Sequence, residues 1–192
     1  MTFTRYFPKK FVPTIVFLFT AILLAQKLAE IVDHLVVYKS QHKLVLLSRG
    51  KEVRSYKIAL GADQVGPKTR QGDHRTPEGS YILDARNPAS HFYKAFHISY
   101  PNSKDTANAR KLGASPGGDI MVHGLAKEYA WVGKSHALHD WTDGCIAVTN
   151  EEMDELWKWV ESVRQLISSP DLPVMLLTSI PIGLSLLRQL VL

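Results

Sequence analysis

The residue types able to do covalent chemistry in this chain gather in two short segments. Its one cysteine lies in Trp141-Thr142-Asp143-Gly144-Cys145-Ile146-Ala147-Val148, downstream of Met121-Val122-His123-Gly124. A lone cysteine has no partner within the chain for a disulfide, so its thiol is free for chemistry or for burial. The thiolate is the nucleophile, and an ordinary thiol with a pKa of ~8.5 is mostly protonated at neutral pH. A neighbouring imidazole that takes the proton leaves a thiolate–imidazolium pair. His123, at the end of an apolar run, is the candidate base. Gly144 allows a tight turn ahead of the cysteine, and the amides around Asp143, Gly144 and Cys145 are candidates to hold an oxyanion. Gly124 allows a sharp turn after His123 and offers a carbonyl to orient the imidazole. The chemistry expected of such a set is acyl transfer through a thioester.

Two other readings use the same residues. A free cysteine is often a small buried hydrophobe. His136, His139 and Cys145, joined by His123, form a zinc-like set of ligand types, but their spacing fits no common zinc pattern and there is no second cysteine. A metal site is therefore not expected.

The elements that position these residues follow from hydropathy patterning. Residues His34–Ser40, Lys43–Leu47 and Val53–Leu60 alternate polar and apolar side chains, as antiparallel hairpin strands do. Residues 61–79 are dense in Gly, Pro, Thr and charge, which sets turns rather than regular structure. Short strands are predicted at Tyr81–Asp84, Phe96–Tyr100 and Asp119–His123, with a short helix over Asp105–Lys111 ending at Gly113. Lys127–Trp141 reads as a connection. Asn150 is expected to cap the clearest helix, whose start is favoured by Glu151, Glu152 and Asp154. Met153, Leu156, Trp157, Val160 and Val163 recur at helical spacing and form its core face. Pro173–Thr178 reads as a closing strand. The fold class expected is mainly β (a β-rich α+β domain) with one main helix after Cys145, preceded by an N-terminal hydrophobic helix.

The 192 residues suit one domain with an added segment at each end. The formal charge is +5, and Arg5, Lys9 and Lys10 lie in a first decad without acidic residues, leaving +2 for the remainder. No basic run interleaved with aromatics and no Walker-type loop occurs, so nucleic acid is not an expected partner. The basic start followed by apolar Phe11–Ala25 has the pattern of an export signal, with a weak cleavage stretch at Leu23-Leu24-Ala25-Gln26. It is short for a full span, which needs ~20 apolar residues. Residues 1–30 are therefore read as a signal peptide or membrane anchor, with a buried domain helix as the plainer alternative. Residues 179–192 form an apolar tail too short to cross a bilayer.

Several ordered motifs together resemble the YkuD-type L,D-transpeptidase catalytic domain, in its YafK-like branch. Met121-Val122-His123-Gly124 followed by Thr142-Asp143-Gly144-Cys145 is similar to the family's His, gap, Ser/Thr-His-Gly-Cys pattern. Gly72-Asp73-His74-Arg75-Thr76-Pro77-Glu78-Gly79-Ser80-Tyr81 is similar to its Gly-Asp-x-x-Thr-Pro-x-Gly-x-Tyr segment. Ser99-Tyr100-Pro101-Asn102 and Ser115-Pro116-Gly117-Gly118-Asp119-Ile120 fit the branch. The resemblance covers residues 34–178, taken as the catalytic domain. It implies a β-rich, exported, periplasmic enzyme acting on peptidoglycan stem peptides, without metal or cofactor. Cys145 would attack the amide between a diamino acid and the following D-residue, with His123 as base and later acid. An amine would resolve the thioester, cross-linking the wall or attaching an outer-membrane protein. With water as acceptor the same scaffold is a hydrolase releasing an attached residue or protein, as some members of the branch are. A third, non-enzymatic reading is a wall-binding module with an inert Cys145.

Asp143 departs from the family's His at that place. A carboxylate beside the thiol disfavours thiolate unless it points away or pairs with a cation. Lys68, Arg70 and Arg75 are weak candidates to meet substrate carboxylates, solvated loop charges being the plainer reading. Trp141, with Trp131 and Tyr129, would wall the cleft or pack. His136 and His139 read as exposed loop histidines. Asp73 and Thr76 are expected to fix their turn through side-chain to backbone bonds.

Overall fold

A computed structural model describes residues 32–160 and 165–169. The expected N-terminal helix, Val163, the strand at Pro173–Thr178 and the tail at 179–192 lie outside the described residues. Among the described residues no helix is long and apolar enough to cross a membrane.

The apolar-rich runs near the start pair as expected. β1 (His34–Tyr38) and β2 (Lys43–Ser48) are antiparallel, with Val36 opposite Val45, and every residue after the first in each is buried. β3 (Lys51–Lys57) adds to β2, with a register shift at Leu46/Leu47. β4 (Gly79–Ser90) and β5 (Tyr93–Ile98) form a second hairpin. β5 pairs with β6 (Met121–His123), and β6 runs parallel to the two-residue β7 (Ile146–Ala147). α1 (Ser103–Lys111) and a 3-10 segment (Lys127–Leu138) lie in the connections, and α2 (Asn150–Trp159) follows β7. β8 (Gln165–Ser169) enters the middle of the sheet, parallel to β1 and antiparallel to β4. The order is β3-β2-β1-β8-β4-β5-β6-β7. Ala59 and Gly61, the continuation of β3, bridge to Ala147 and Thr142. The sheet thus curls until its two edges meet beside Cys145.

Leu35, Val37, Leu44, Leu46, Phe96, Ile98, Val122 and Ile146 form one core, which Met153, Leu156 and Val160 cover from α2. Each such buried side chain contributes roughly 1.5–3 kcal/mol of transfer free energy. The helical face read from spacing is therefore the face that packs.

Three elements differ from expectation. β4 is much longer than Tyr81–Asp84, because its second half is exposed on both faces and shows no alternation. β8 has no counterpart among the expected strands. The cap of α2 is Thr149, whose side chain accepts from the Glu152 N–H while Glu152 accepts from the Thr149 N–H. Asn150 is instead used outside the helix: its Oδ1 accepts from the Leu125 N–H at 2.7 Å. The helix start is thereby fastened to the chain just beyond His123-Gly124.

Candidate active site

His123 is the last residue of β6, opposite Ala147 of β7, and Cys145 enters β7 two residues before Ala147. Val122 and Ile146 point into the core, so strand alternation turns His123 and Cys145 to the other face together. Strand spacing and rise put such diagonal neighbours about 8 Å apart at the backbone, within reach of side chains.

His123 is only 3% exposed. Its Nδ1 lies 2.7 Å from the Gly124 carbonyl. A carbonyl only accepts, so Nδ1 carries the proton and Nε2 is left as the basic nitrogen. Phe92 stacks on the ring at 4.6 Å between centroids, and Trp141 meets it edge-on at 5.8 Å. The imidazole is thus held by one hydrogen bond and two aromatic faces. A Cβ at Gly124 would lie 2.5 Å from Asn150 Oδ1 and 3.2 Å from the Phe92 carbonyl, so a larger residue there would displace the Asn150 side chain.

Cys145 is partly exposed and free. Its Sγ donates to the Asp119 carbonyl at 3.6 Å. In this state the thiol and the His123 ring are therefore each bonded elsewhere rather than to each other. Thr142 braces the turn by accepting from the Gly144 N–H at 3.1 Å and donating to the Cys145 carbonyl at 2.8 Å. The Gly144 amide is consequently occupied, which leaves the amides of Asp143 and Cys145 as the oxyanion candidates. Gly144 has φ +122°, and a Cβ would lie 2.5 Å from the Arg75 carbonyl. The segment before β4 presses directly on the cysteine turn.

Burial pushes the Cys145 thiol up, and the Asp143 and Asp119 carboxylates add to it, against a Met121 hydrogen bond and the Lys68 cation. Burial pushes His123 down, and His136 does the same, while the Gly124 bond works the other way. Both directions favour neutral thiol beside neutral imidazole in the free protein, rather than the ion pair expected from residue types alone.

The Gly- and Pro-rich segment is a fixed scaffold. Lys39, 3% exposed, uses all three ammonium protons, donating to Gly66 O (2.8 Å), Thr76 O (3.0 Å) and Glu78 Oε1 (2.8 Å). Thr76 Oγ1 accepts from the Gly61 N–H at 3.0 Å. Asp73 accepts from Lys68 Nζ at 2.7 Å and from the backbone N–H groups of Thr69, Arg70 and Arg75. Asp73 and Thr76 thus hold the turn. Lys68, read as a solvated loop charge or a carboxylate contact, is buried, because Asp73 neutralises it. Arg75 is paired with Asp63. Arg70 is exposed, beside a pocket of about 430 Å³ that Asp63, Thr69, Asp73, Arg75 and Leu112 also line.

Of the loop aromatics, Trp141 packs on His123 while Tyr129 and Trp131 stay exposed. His139 is exposed, but His136 is buried with neither ring nitrogen hydrogen-bonded. Among the described residues no group of three His, Cys, Asp or Glu side chains is arranged to hold a metal. Sequence reasoning missed Phe92, which lies at the tip of the long hairpin, and Lys39, the hub of the scaffold. Neither stands in a recognisable motif.

The model of the YkuD L,D-transpeptidase catalytic domain matches residues 32–174. The chain belongs to this family. It is 34% identical over 108 residues to YafK of Escherichia coli, a stretch covering 55% of this chain and 36% of that protein, so the chain spans little more than a third of that relative. Among solved structures it is similar to the helical cell shape determining protein Pgp2 of Campylobacter jejuni (25% identity, TM-score 0.57, covering 74% of this chain and 49% of that one). It also shares its fold with Bd1075 of Bdellovibrio bacteriovorus (22% identity, TM-score 0.50, 72% and 48% covered). Within this YkuD domain, Asp143 stands where the family pattern has His, and it faces solvent, 2.6 Å from His74.

Proposed function

We propose that this chain is a cysteine-dependent L,D-transpeptidase acting on peptidoglycan stem peptides. The observation that carries the reading is the parallel β6–β7 register, which sets His123 and Cys145 on one face of adjacent strands with Nδ1 already engaged. As Sγ attacks the carbonyl carbon of the amide between a diamino acid and the next D-residue, His123 Nε2 takes the thiol proton. The amides of Asp143 and Cys145 face the developing oxyanion. His123 then protonates the departing amine, leaving a thioester on Cys145. An amine acceptor attacks the thioester, His123 Nε2 takes its proton and returns it to the departing Sγ, which gives a cross-link or an attached protein. Export across the cytoplasmic membrane, into the periplasm and with attachment through residues 1–30, belongs to the same proposal and is supported by the basic and then apolar start of the sequence.

Incubation of the purified protein with muropeptides tests this reading. Cross-linked product and a Cys145 acyl adduct by mass spectrometry are expected. Trimmed stem peptides without cross-links would replace transfer by hydrolysis. No adduct with either muropeptides or a carbapenem would leave only a wall-binding module. Cys145→Ala should abolish turnover, and His123→Ala should lower it by roughly 10²–10⁴-fold, the usual share of a general base.

A further inference from the structure

The residue two positions before the nucleophile carries a charge that opposes it. Three charges act on the thiol: Asp143 on its own turn, Asp119 from the segment entering β6, and Lys68 from the Gly- and Pro-rich scaffold. Lys68 is already committed to Asp73, so the balance at Sγ is negative. The group that faces the Asp143 carboxylate comes from the same scaffold. His74 Nδ1 lies 2.6 Å from Asp143 Oδ1, with the carboxylate 92% exposed and the imidazole 55% exposed.

The placement of His74 is fixed independently of that bond. Its φ is +53°, a left-handed conformation uncommon for a residue with a side chain. Its carbonyl accepts from the Asp63 N–H at 3.0 Å. The neighbouring Arg75 N–H is held by Asp73, and the Arg75 carbonyl abuts Gly144. The scaffold and the cysteine turn are therefore in register before the two side chains meet. An exposed ion pair adds little to stability, so this one is not needed to hold the loops together.

We propose that His74 and Asp143 form a positioning pair for the nucleophile. The imidazole hydrogen bond holds the carboxylate out in solvent, which limits how far an acidic residue two places before Cys145 disfavours the thiolate. The proposal deepens the reading of Cys145 as nucleophile and rests on it, but its test reads the thiol directly.

The test is the rate of Cys145 alkylation by iodoacetamide as a function of pH, with melting temperature measured in parallel. His74→Ala, which removes the hydrogen bond, is expected to move the thiol titration upward and slow alkylation at neutral pH by about three- to tenfold, the effect of half to one pKa unit. His74→Gln, whose amide keeps a donor for the carboxylate, should restore the rate. Asp143→Asn should speed alkylation and make it insensitive to position 74. Unchanged titration curves in His74→Ala would overturn the proposal. So would an equal His74→Ala effect in the Asp143→Asn background, or a fall in melting temperature with no change at the thiol. Absence of muropeptide turnover alongside the predicted thiol shifts would remove the enzymatic reading and support the pair.

Discussion

The chemistry of this site is set by where each proton sits. His123 is fixed with Nδ1 protonated because its neighbour there is a carbonyl, and burial keeps the ring neutral. Burial also holds the Cys145 thiol above its ordinary range. In the proposed reaction, proton transfer would therefore accompany attack rather than precede it. Cys145 alkylation in the wild-type protein should accordingly keep rising with pH beyond the ordinary thiol range. A rate already level at neutral pH would mean a preformed thiolate. The ring is aimed by packing, which makes Phe92 a positioning residue. Phe92→Ala should lower kcat by on the order of 10- to 100-fold through misplacement of the base, with KM little changed and the pH profile of kcat shifted as the imidazole gains water. A loss confined to KM would place Phe92 in substrate binding instead. His123 and Cys145 were singled out as candidates from their motifs. Phe92 was not, because an aromatic in a hairpin turn has no local signature of what it stacks on.

Among the elements, the segment before β4 departs most from the behaviour its composition suggests. Gly and Pro density marks turns, and turns are usually read as surface loops. Here buried charges make it rigid. Burial alone would raise the Asp73 carboxyl, but the Lys68 bond and three backbone N–H groups outweigh it and bring it down to about 2. The folded value thus lies below the unfolded one of ~3.9, so the stabilisation is full above that unfolded value and is lost as the pH falls toward the folded one. The gap is worth about 2 kcal/mol. Asp73→Asn should lower the unfolding free energy by about that much at neutral pH, with the deficit closing as acid protonates the wild-type carboxyl. Urea titrations across acid pH measure this, and a deficit independent of pH would show that Asp73 acts through shape rather than charge. Asp73 and Thr76 were readable as turn residues because their partners are a few positions away or in the same segment. Lys39 was not, since its partners Gly66, Thr76 and Glu78 are remote in sequence and meet it only when β1 is in the sheet.

At the scale of the molecule, the sheet is completed from both ends of the domain. β8 lies between β1 and β4, so among the described strands the hairpins at the start and middle of the chain are laddered into one sheet through a strand that comes after both. Leu166 and Ile167 of that strand are buried. Ending the chain at Trp159 should therefore abolish cooperative urea unfolding, and a sharp transition retained by that truncation would show that the hairpins fold without their central strand. The sequence by itself determined the β-rich class, the first hairpin, the core face of α2 and the turn role of Asp73, and it named His123 and Cys145 as the candidate pair. Each of these rests on local periodicity or on residue types at short spacing, which the chain carries whatever its tertiary path. Only the tertiary structure decided that β8 is central, that Lys68 is buried against Asp73, that Asn150 ties Leu125 instead of capping α2, and that Asp143 turns outward to His74. Those outcomes depend on which distant segments share a boundary, and burial there reverses the behaviour the same side chains show in water.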